Sequence, residues 1–158
     1  MTILIISNQT FLRLLYYISK PNGFHPDKLF TDKNLVKWAK SKNISMGICT
    51  NKQEKLALDL LKKIKLFDFF EYVAGSDTFN FNKPDPRHLT DVVEIIGGDL
   101  KKTIMVGDSE VDSMSASNAK IPFVLVEDGY TKKSSKEIPH DILIKDFLNF
   151  EKIIEKYL

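Results

Sequence analysis

Met105-Val106-Gly107-Asp108-Ser109-Glu110-Val111-Asp112 is the stretch that decides the fold. The apolar run Ile104 to Val106 reads as a buried strand, and it ends on a glycine that lets the backbone come close to a neighbour. Asp108 stands just past the strand end. Asp112 follows four residues later, at the start of a helix carrying Val111, Met114 and Ala119, so the two carboxylates can share one side. The bland alternative makes Asp108 an N-cap and Asp112 a solvated acid. The context favours function, because ligands of open parallel sheets bind beyond the carboxyl ends of the strands. Paired hard oxygen donors beside a phosphate suit Mg²⁺.

The same strand-then-helix unit recurs on both sides of this stretch. Toward the N-terminus, Ile44 to Cys49 reads as a strand, and Asn51-Lys52-Gln53 turns into a helix with Leu56, Ala57, Leu60, Leu61 and Ile64 at helical spacing. Phe70 to Ala74 is a further strand, and a loop from Gly75 to Asn82 leads to Lys83-Pro84-Asp85-Pro86. A helix bearing Leu89, Val92, Val93 and Ile96 then stops at Gly97-Gly98. Toward the C-terminus, Ile121 to Val126 is a strand, Asp141 to Ile144 a weak one, and Phe147 to Leu158 a closing helix. Ahead of all these, Asp32 can cap a helix carrying Leu35, Val36, Trp38 and Ala39. Alternation from about residue 31 to 158 predicts an α/β core, a Rossmann-like parallel sheet with helices on both faces. Residues 1 to 30 read differently: a short strand, Ile3 to Ile6, an apolar helix, Phe11 to Ile18, and a junction at Pro21-Asn22-Gly23 and Pro26-Asp27.

Composition narrows the function. The chain has 158 residues, 43% hydrophobic and 28% charged, which is one domain's worth of folding polypeptide. Its formal net charge of +2, from 23 basic and 21 acidic residues, is too even to make nucleic acid the expected partner. Ile3 to Ile6 is too short to span a membrane and has no basic region before it, so no membrane partner is expected. The single cysteine, Cys49, suits a reducing cytoplasm and reads as an inert core thiol. His25, His88 and His140 have no ligand spacing, which argues against zinc. Phe67, Phe69 and Phe70 read as core rather than as a binding platform, and Lys132-Lys133 with Ser134-Ser135-Lys136 as a solvated loop.

Two further groups follow strand ends. Cys49-Thr50-Asn51-Lys52 offers a hydroxyl and successive backbone N–H groups suited to a phosphoryl oxygen, the alternative being that Thr50 or Asn51 caps the next helix. Asn82-Lys83-Pro84-Asp85-Pro86 holds Lys83 in a proline-stiffened loop, where an ammonium can neutralise a phosphoryl group or a carboxylate. The alternative is one more surface lysine.

In this order the three groups resemble the later motifs of the haloacid dehalogenase-like (HAD) phosphatases. Thr50 matches the threonine of the second motif, Lys83 the lysine of the third, and Gly107-Asp108-Ser109-x-x-Asp112 the acidic fourth. The phrases Gly47-Ile48-Cys49-Thr50-Asn51-Lys52 and Asn82-Lys83-Pro84-Asp85-Pro86 most resemble the phosphoglycolate phosphatase branch, as does Pro122 to Val126 with Gly129-Tyr130 after it. The resemblance implies a Mg²⁺-dependent hydrolase of a small phosphate monoester such as 2-phosphoglycolate, working through an aspartyl-phosphate. It implies phosphate contact by Thr50, Asn51 and Lys83, catalytic roles for Thr50 and Lys83, and metal ligation by Asp108 and Asp112.

The sequence also departs from that pattern. The family opens with a strand ending in Asp-x-Asp-x-Thr, and no Asp-x-Asp occurs in this sequence. With Thr10 aligned to the motif threonine, Ile6 and Asn8 occupy the two acid positions. Only 49 residues precede Thr50, too few for both a first motif and a cap domain. The expectation is a truncated or rewritten segment 1–30 ahead of a well-kept core, a chain inactive on its own, and an exposed sheet edge at the damaged first strand that favours self-association. A non-catalytic module that binds metal or phosphate is the alternative. A receiver-like signalling domain needs an acidic pair at the first strand, which is also lacking.

Overall fold

The short β-branched and apolar runs of the sequence become strands, and the inner ones are buried on both faces, as parallel sheets require. The computed structural model describes residues 1–7, 37–63, 65–127, 131–145 and 150–157. Six strands form one sheet: β1 (Ile3–Ser7), β2 (Ser45–Cys49), β3 (Tyr72–Ala74), β4 (Thr103–Gly107), β5 (Phe123–Val126) and β6 (Ile142–Ile144). Their order is β3-β2-β1-β4-β5-β6, and every pairing is parallel. The chain order reverses at β1, so the crevice between β1 and its neighbours is the switch point where such sheets take ligands.

Side chains alternate across the sheet and build two core layers. Leu4, Ile6, Met46, Ile48, Val106 and Val124 face one layer, with Ala39 from the helical residues 37–41, Ala57 and Leu61 from α1 (Glu54–Lys63), and Phe150 and Ile154 from α4 (Phe150–Ile154). Ile3, Ile5, Cys49, Met105 and Leu125 face the other, with Leu89, Val92 and Val93 from α2 (Arg87–Ile96) and Ala116 from α3 (Glu110–Ala119). Helices therefore cover both faces, and the fold is the Rossmann-like α/β core that the alternation predicts. Helix α2 stops at Gly97, whose φ of 77° is left-handed and whose N–H reaches back to Val93 and Glu94.

Four expectations need correction. The first strand does not leave an exposed edge: β1 is the inner strand between β2 and β4, and all five of its residues are buried. The sheet's edges are β3 and β6, of three residues each. Helix α3 does not bury an apolar stripe. Met114 is exposed, whereas Asp112, Ser113 and Ser115 are buried, because this helix turns its polar side toward Lys83 and the loop after β4. In α1, Leu56 is exposed and the helix rests on Ala57 and Leu61 alone among its fully buried residues. Of the phenylalanine cluster, Phe70 is core, Phe69 packs against it, and Phe67 is exposed under Lys62.

The helix expected over Phe11 to Ile18, the junction at Pro21 to Asp27, the cap at Asp32, the turn at Gly129-Tyr130 and the start of the closing helix lie outside the described residues. Among the described residues no helix is long and apolar enough to cross a membrane.

Candidate active site

Every residue singled out by the three motifs lies at the carboxyl end of the sheet, and each reaches it for a local reason. Strand β4 ends at Gly107, where a Cβ would lie 2.4 Å from Asp112 Cβ. Only glycine lets α3 begin this close to the strand. Ser109 then caps α3, its Oγ accepting the Asp112 N–H at 3.3 Å, which turns the Asp112 carboxylate back under the strand end.

Asp112 is the hub of the site. Its Oδ1 accepts from Lys83 Nζ at 2.5 Å, and its Oδ2 accepts from the Asp108 N–H at 3.1 Å and from Ser109 Oγ at 2.8 Å. The sequence puts Asp112 forward as a metal ligand. In the folded chain its two oxygens accept protein donors, which fix Lys83 and the turn after β4.

Lys83 is buried at the other end of this ion pair. It is held at its backbone as well: Asn51 Nδ2 donates to Lys83 O at 2.9 Å, and Lys83 N–H donates to Asn51 Oδ1 at 3.1 Å. Asn51, put forward as a phosphate contact, thus ties the loop after β3 to the loop after β2. Lys83 is not the solvated surface lysine of the bland reading, because a buried ammonium without a partner would be too costly to keep.

Thr50 is buried at the end of β2, where its N–H donates to Ala74 O at 2.9 Å. Its Oγ1 accepts from the Lys52 N–H at 3.1 Å. The start of α1 is capped from elsewhere: Glu54 N–H donates to Asp77 Oδ1 at 2.7 Å, and Thr78 Oγ1 donates to the Glu54 carboxylate. The capping alternative for Thr50 and Asn51 is therefore not what the helix uses.

Asp108 is fully buried at the end of β4, and Ser7 Oγ donates to its Oδ1 at 3.3 Å. Ser7 is the last residue of β1, in register with Cys49 of β2. Sequence alignment directs attention to Ile6 and Asn8. Instead Ile6 points into the core, and Ser7 is the side chain of β1 that meets Asp108. The period-2 alternation of the strand could have shown this, since Ile3, Ile5 and Ser7 share a face.

Behind the site lie two groups that do no exposed chemistry. Burial pushes the Cys49 thiol up to about 12, and it donates to His88 O at 3.3 Å. It is the inert core thiol expected. His88 is also buried, its Nε2 at 3.1 Å from Gly75 O and its Nδ1 without a partner among the described residues. Burial first, and then the Lys83 charge, push its pKa down to about 4, so the ring is neutral at physiological pH.

Hard oxygen chemistry is what this donor set offers a cation. Asp108 lies buried at the end of β4, and beside it the Asp112 carboxylate accepts from Lys83, Ser109 and the Asp108 N–H. Among the described residues no group of three His, Cys, Asp or Glu side chains comes together to hold a metal. One carboxylate fits Mg²⁺ when phosphate oxygens and waters complete the shell, the usual arrangement for that ion.

The all-parallel sheet, its switch point at β1 and the buried lysine–aspartate pair define a Rossmann-like α/β core with its candidate site at the carboxyl ends of the strands. The haloacid dehalogenase-like hydrolase family model matches residues 26–126, and the chain belongs to that family. It is 42% identical over 118 residues to a phosphoglycolate phosphatase of Agrobacterium fabrum, covering 72% of this chain and 51% of that protein. It is 44% identical over 102 residues to the phosphoglycolate phosphatase of Mesorhizobium japonicum, covering 65% and 45%. The chain thus spans about half the length of these relatives. Among solved structures, a HAD-superfamily hydrolase from Ehrlichia chaffeensis superposes with a TM-score of 0.71 at 18% identity, covering 99% of this chain and 98% of that one. A β-phosphoglucomutase from Clostridium difficile gives 0.68 at 22% identity, covering 95% and 63%. At these identities the structural matches show the shared fold.

Proposed function

We propose that this chain is the core of a Mg²⁺-dependent phosphate monoester hydrolase, with 2-phosphoglycolate the first ester to test. The observation that carries the reading is one hydrogen-bonded chain at the carboxyl ends of the strands: Asn51, next to Thr50, holds the Lys83 backbone, Lys83 pairs with Asp112, and Asp112 accepts the Asp108 N–H. The names of the relatives, phosphoglycolate phosphatases, supply the candidate ester.

Each residue has a role its surroundings permit. Thr50 Oγ1 already accepts a backbone N–H, so its proton is available to a phosphoryl oxygen. Lys83 uses one N–H on Asp112 and keeps two for phosphoryl oxygens. Asp108 would hold Mg²⁺, which when bound neutralises phosphoryl charge and orients the ester. Asn51 and Asp112 act through Lys83 and are positioning residues.

The covalent step needs a carboxylate at the end of β1, and Ser7 stands there instead. A serine hydroxyl that donates to Asp108 offers no anionic nucleophile. The chain by itself is therefore proposed to bind phosphate esters and not to turn them over, since residues that act as a unit lose nearly the whole effect together. The second reading, a binding module of the same fold, is favoured by this same Ser7–Asp108 contact. A steady-state assay with Mg²⁺ and 2-phosphoglycolate or an aryl phosphate separates them. The expected result is phosphate release no faster than the Asp108→Ala control. Hydrolysis that this substitution abolishes would refute the inactive reading and place the nucleophile elsewhere.

A further inference from the structure

The Lys83-Pro84 dipeptide has three backbone groups that can hydrogen bond, because proline has no N–H. Side-chain amides meet all three. Asn51 takes the Lys83 N–H and C=O from the β2 side. Asn118 takes the third from the α3 side, its Nδ2 donating to Pro84 O at 3.3 Å across 34 residues of chain. Asn118 belongs to the last turn of α3, the helix whose first turn carries Asp112. One helix therefore holds the Lys83 segment twice, at the ammonium through Asp112 and at the following carbonyl through Asn118. The step from Asp112 to Asn118 is about 9 Å of helix, so the two grips are well separated.

The second grip does not satisfy a buried group. Pro84 and Asn118 are both exposed, so water could serve the carbonyl and the amide alike. Nor does the helix need Asn118. Asparagine is a poorer helix former than alanine, and α3 ends at Lys120, whose N–H bonds back to Ala116 O and Ser117 O without it. What the contact does is geometric. With Asn118 in place, the Lys83 backbone is braced between β2 and α3. Without it, Asn51 ties the Lys83-Pro84 backbone from the β2 side alone.

We infer, on the phosphate-site reading above, that Asn118 is a positioning residue for the Lys83 ammonium, acting through the Pro84 carbonyl. It keeps the remaining N–H groups of Lys83 aimed at phosphoryl oxygens while Asp112 holds the charge.

Calorimetric titration of the full chain with orthophosphate tests it, without Mg²⁺, so that Thr50 and Lys83 act with no metal. Asn118→Ala should weaken phosphate binding by about five-fold, the size of one net hydrogen bond. Its urea midpoint should match the wild type or rise, since alanine favours the helix. Asn118→Gln keeps a donor and should retain about half or more of the wild-type affinity. A purely structural residue would give the opposite pattern in Asn118→Ala, a lowered urea midpoint with unchanged phosphate affinity, and that result would overturn the inference. Asn118→Gln binding no better than Asn118→Ala would overturn it too. Wild-type affinity in Asn118→Ala would remove the inference and leave the phosphate site standing. Failure of the wild type to bind orthophosphate would overturn the phosphate-site reading and this inference with it.

Discussion

Lys83 and Asp112 stand 29 residues apart in the chain and meet as a buried ion pair at 2.5 Å, their side chains 5% and 3% exposed. The pair joins the loop after β3 to the first turn of α3, so it spans the crevice where the sheet order reverses. Asp112 holds the lysine and, through the Asp108 N–H, also fixes the turn that carries Asp108.

Breaking this pair from one side should cost about 3–5 kcal/mol, because the surviving charge stays buried without its partner. Asp112→Leu is expected to show that loss in urea unfolding. The double variant Lys83→Met with Asp112→Leu should regain about 2 kcal/mol of it, since no lone charge remains. A double variant as unstable as the single one would show that the backbone contacts of Asp112, and not the ion pair, carry the effect.

Asn51 clamps the Lys83 backbone through both ends of its amide. Asn51→Ala should destabilise by about 1–3 kcal/mol, the usual cost of leaving a partly buried donor and acceptor without partners. If Asn51 touched phosphate directly, Asn51→Asp would repel the anion at every pH. Here the loss of the Nδ2 donor to Lys83 O should lower stability as well. Unchanged stability in Asn51→Ala would refute the clamp.

Gly107 makes room for Asp112. Gly107→Ala should destabilise by about 1–3 kcal/mol through overpacking. The near-neutral control is Gly97→Asn, since that position is left-handed with nothing within 4 Å of an added Cβ. Thermal unfolding of both variants distinguishes packing at the site from general intolerance of glycine replacement.

His88 gives the chain an acid limit. Its folded pKa, pushed down to about 4, lies below the ordinary 6.5. The folded state keeps the ring neutral while the unfolded state takes up a proton. Stability is therefore full above pH 6.5 and falls as pH drops toward 4, by about 2–3 kcal/mol if nothing else titrates. The carboxylates of Asp85, Glu110 and Glu137, all held below their ordinary values, add their losses at lower pH. Urea midpoints at pH 7.5 and 4.5 for the wild type and His88→Gln check the sign: the variant should have the flatter profile between those values.

Much of this was legible in residue order. The strand runs ending in Thr50 and Gly107-Asp108 carried both the parallel sheet and the place of the site, because apolar period and glycine position are local signals. The roles of Asn51 and Asp112 were not legible, since they depend on partners 32 and 29 residues away that only the fold brings near. Ser7 was hidden by the alignment of Thr10, although strand alternation points to it. The segment from Thr131 to Ser135 reads as a solvated loop because nothing local reveals which carboxylates its hydroxyls meet.

Asp108 is proposed to carry a phosphate-assisted Mg²⁺ site beside Thr50 and Lys83. Orthophosphate titrated calorimetrically into the protein, with and without Mg²⁺, tests it most directly. Wild type should bind phosphate more tightly when Mg²⁺ is present, and Asp108→Asn should lose that enhancement while keeping the Mg²⁺-independent affinity supplied by Thr50 and Lys83. An enhancement that survives Asp108→Asn unchanged, or no phosphate binding in the wild type under either condition, would contradict the account.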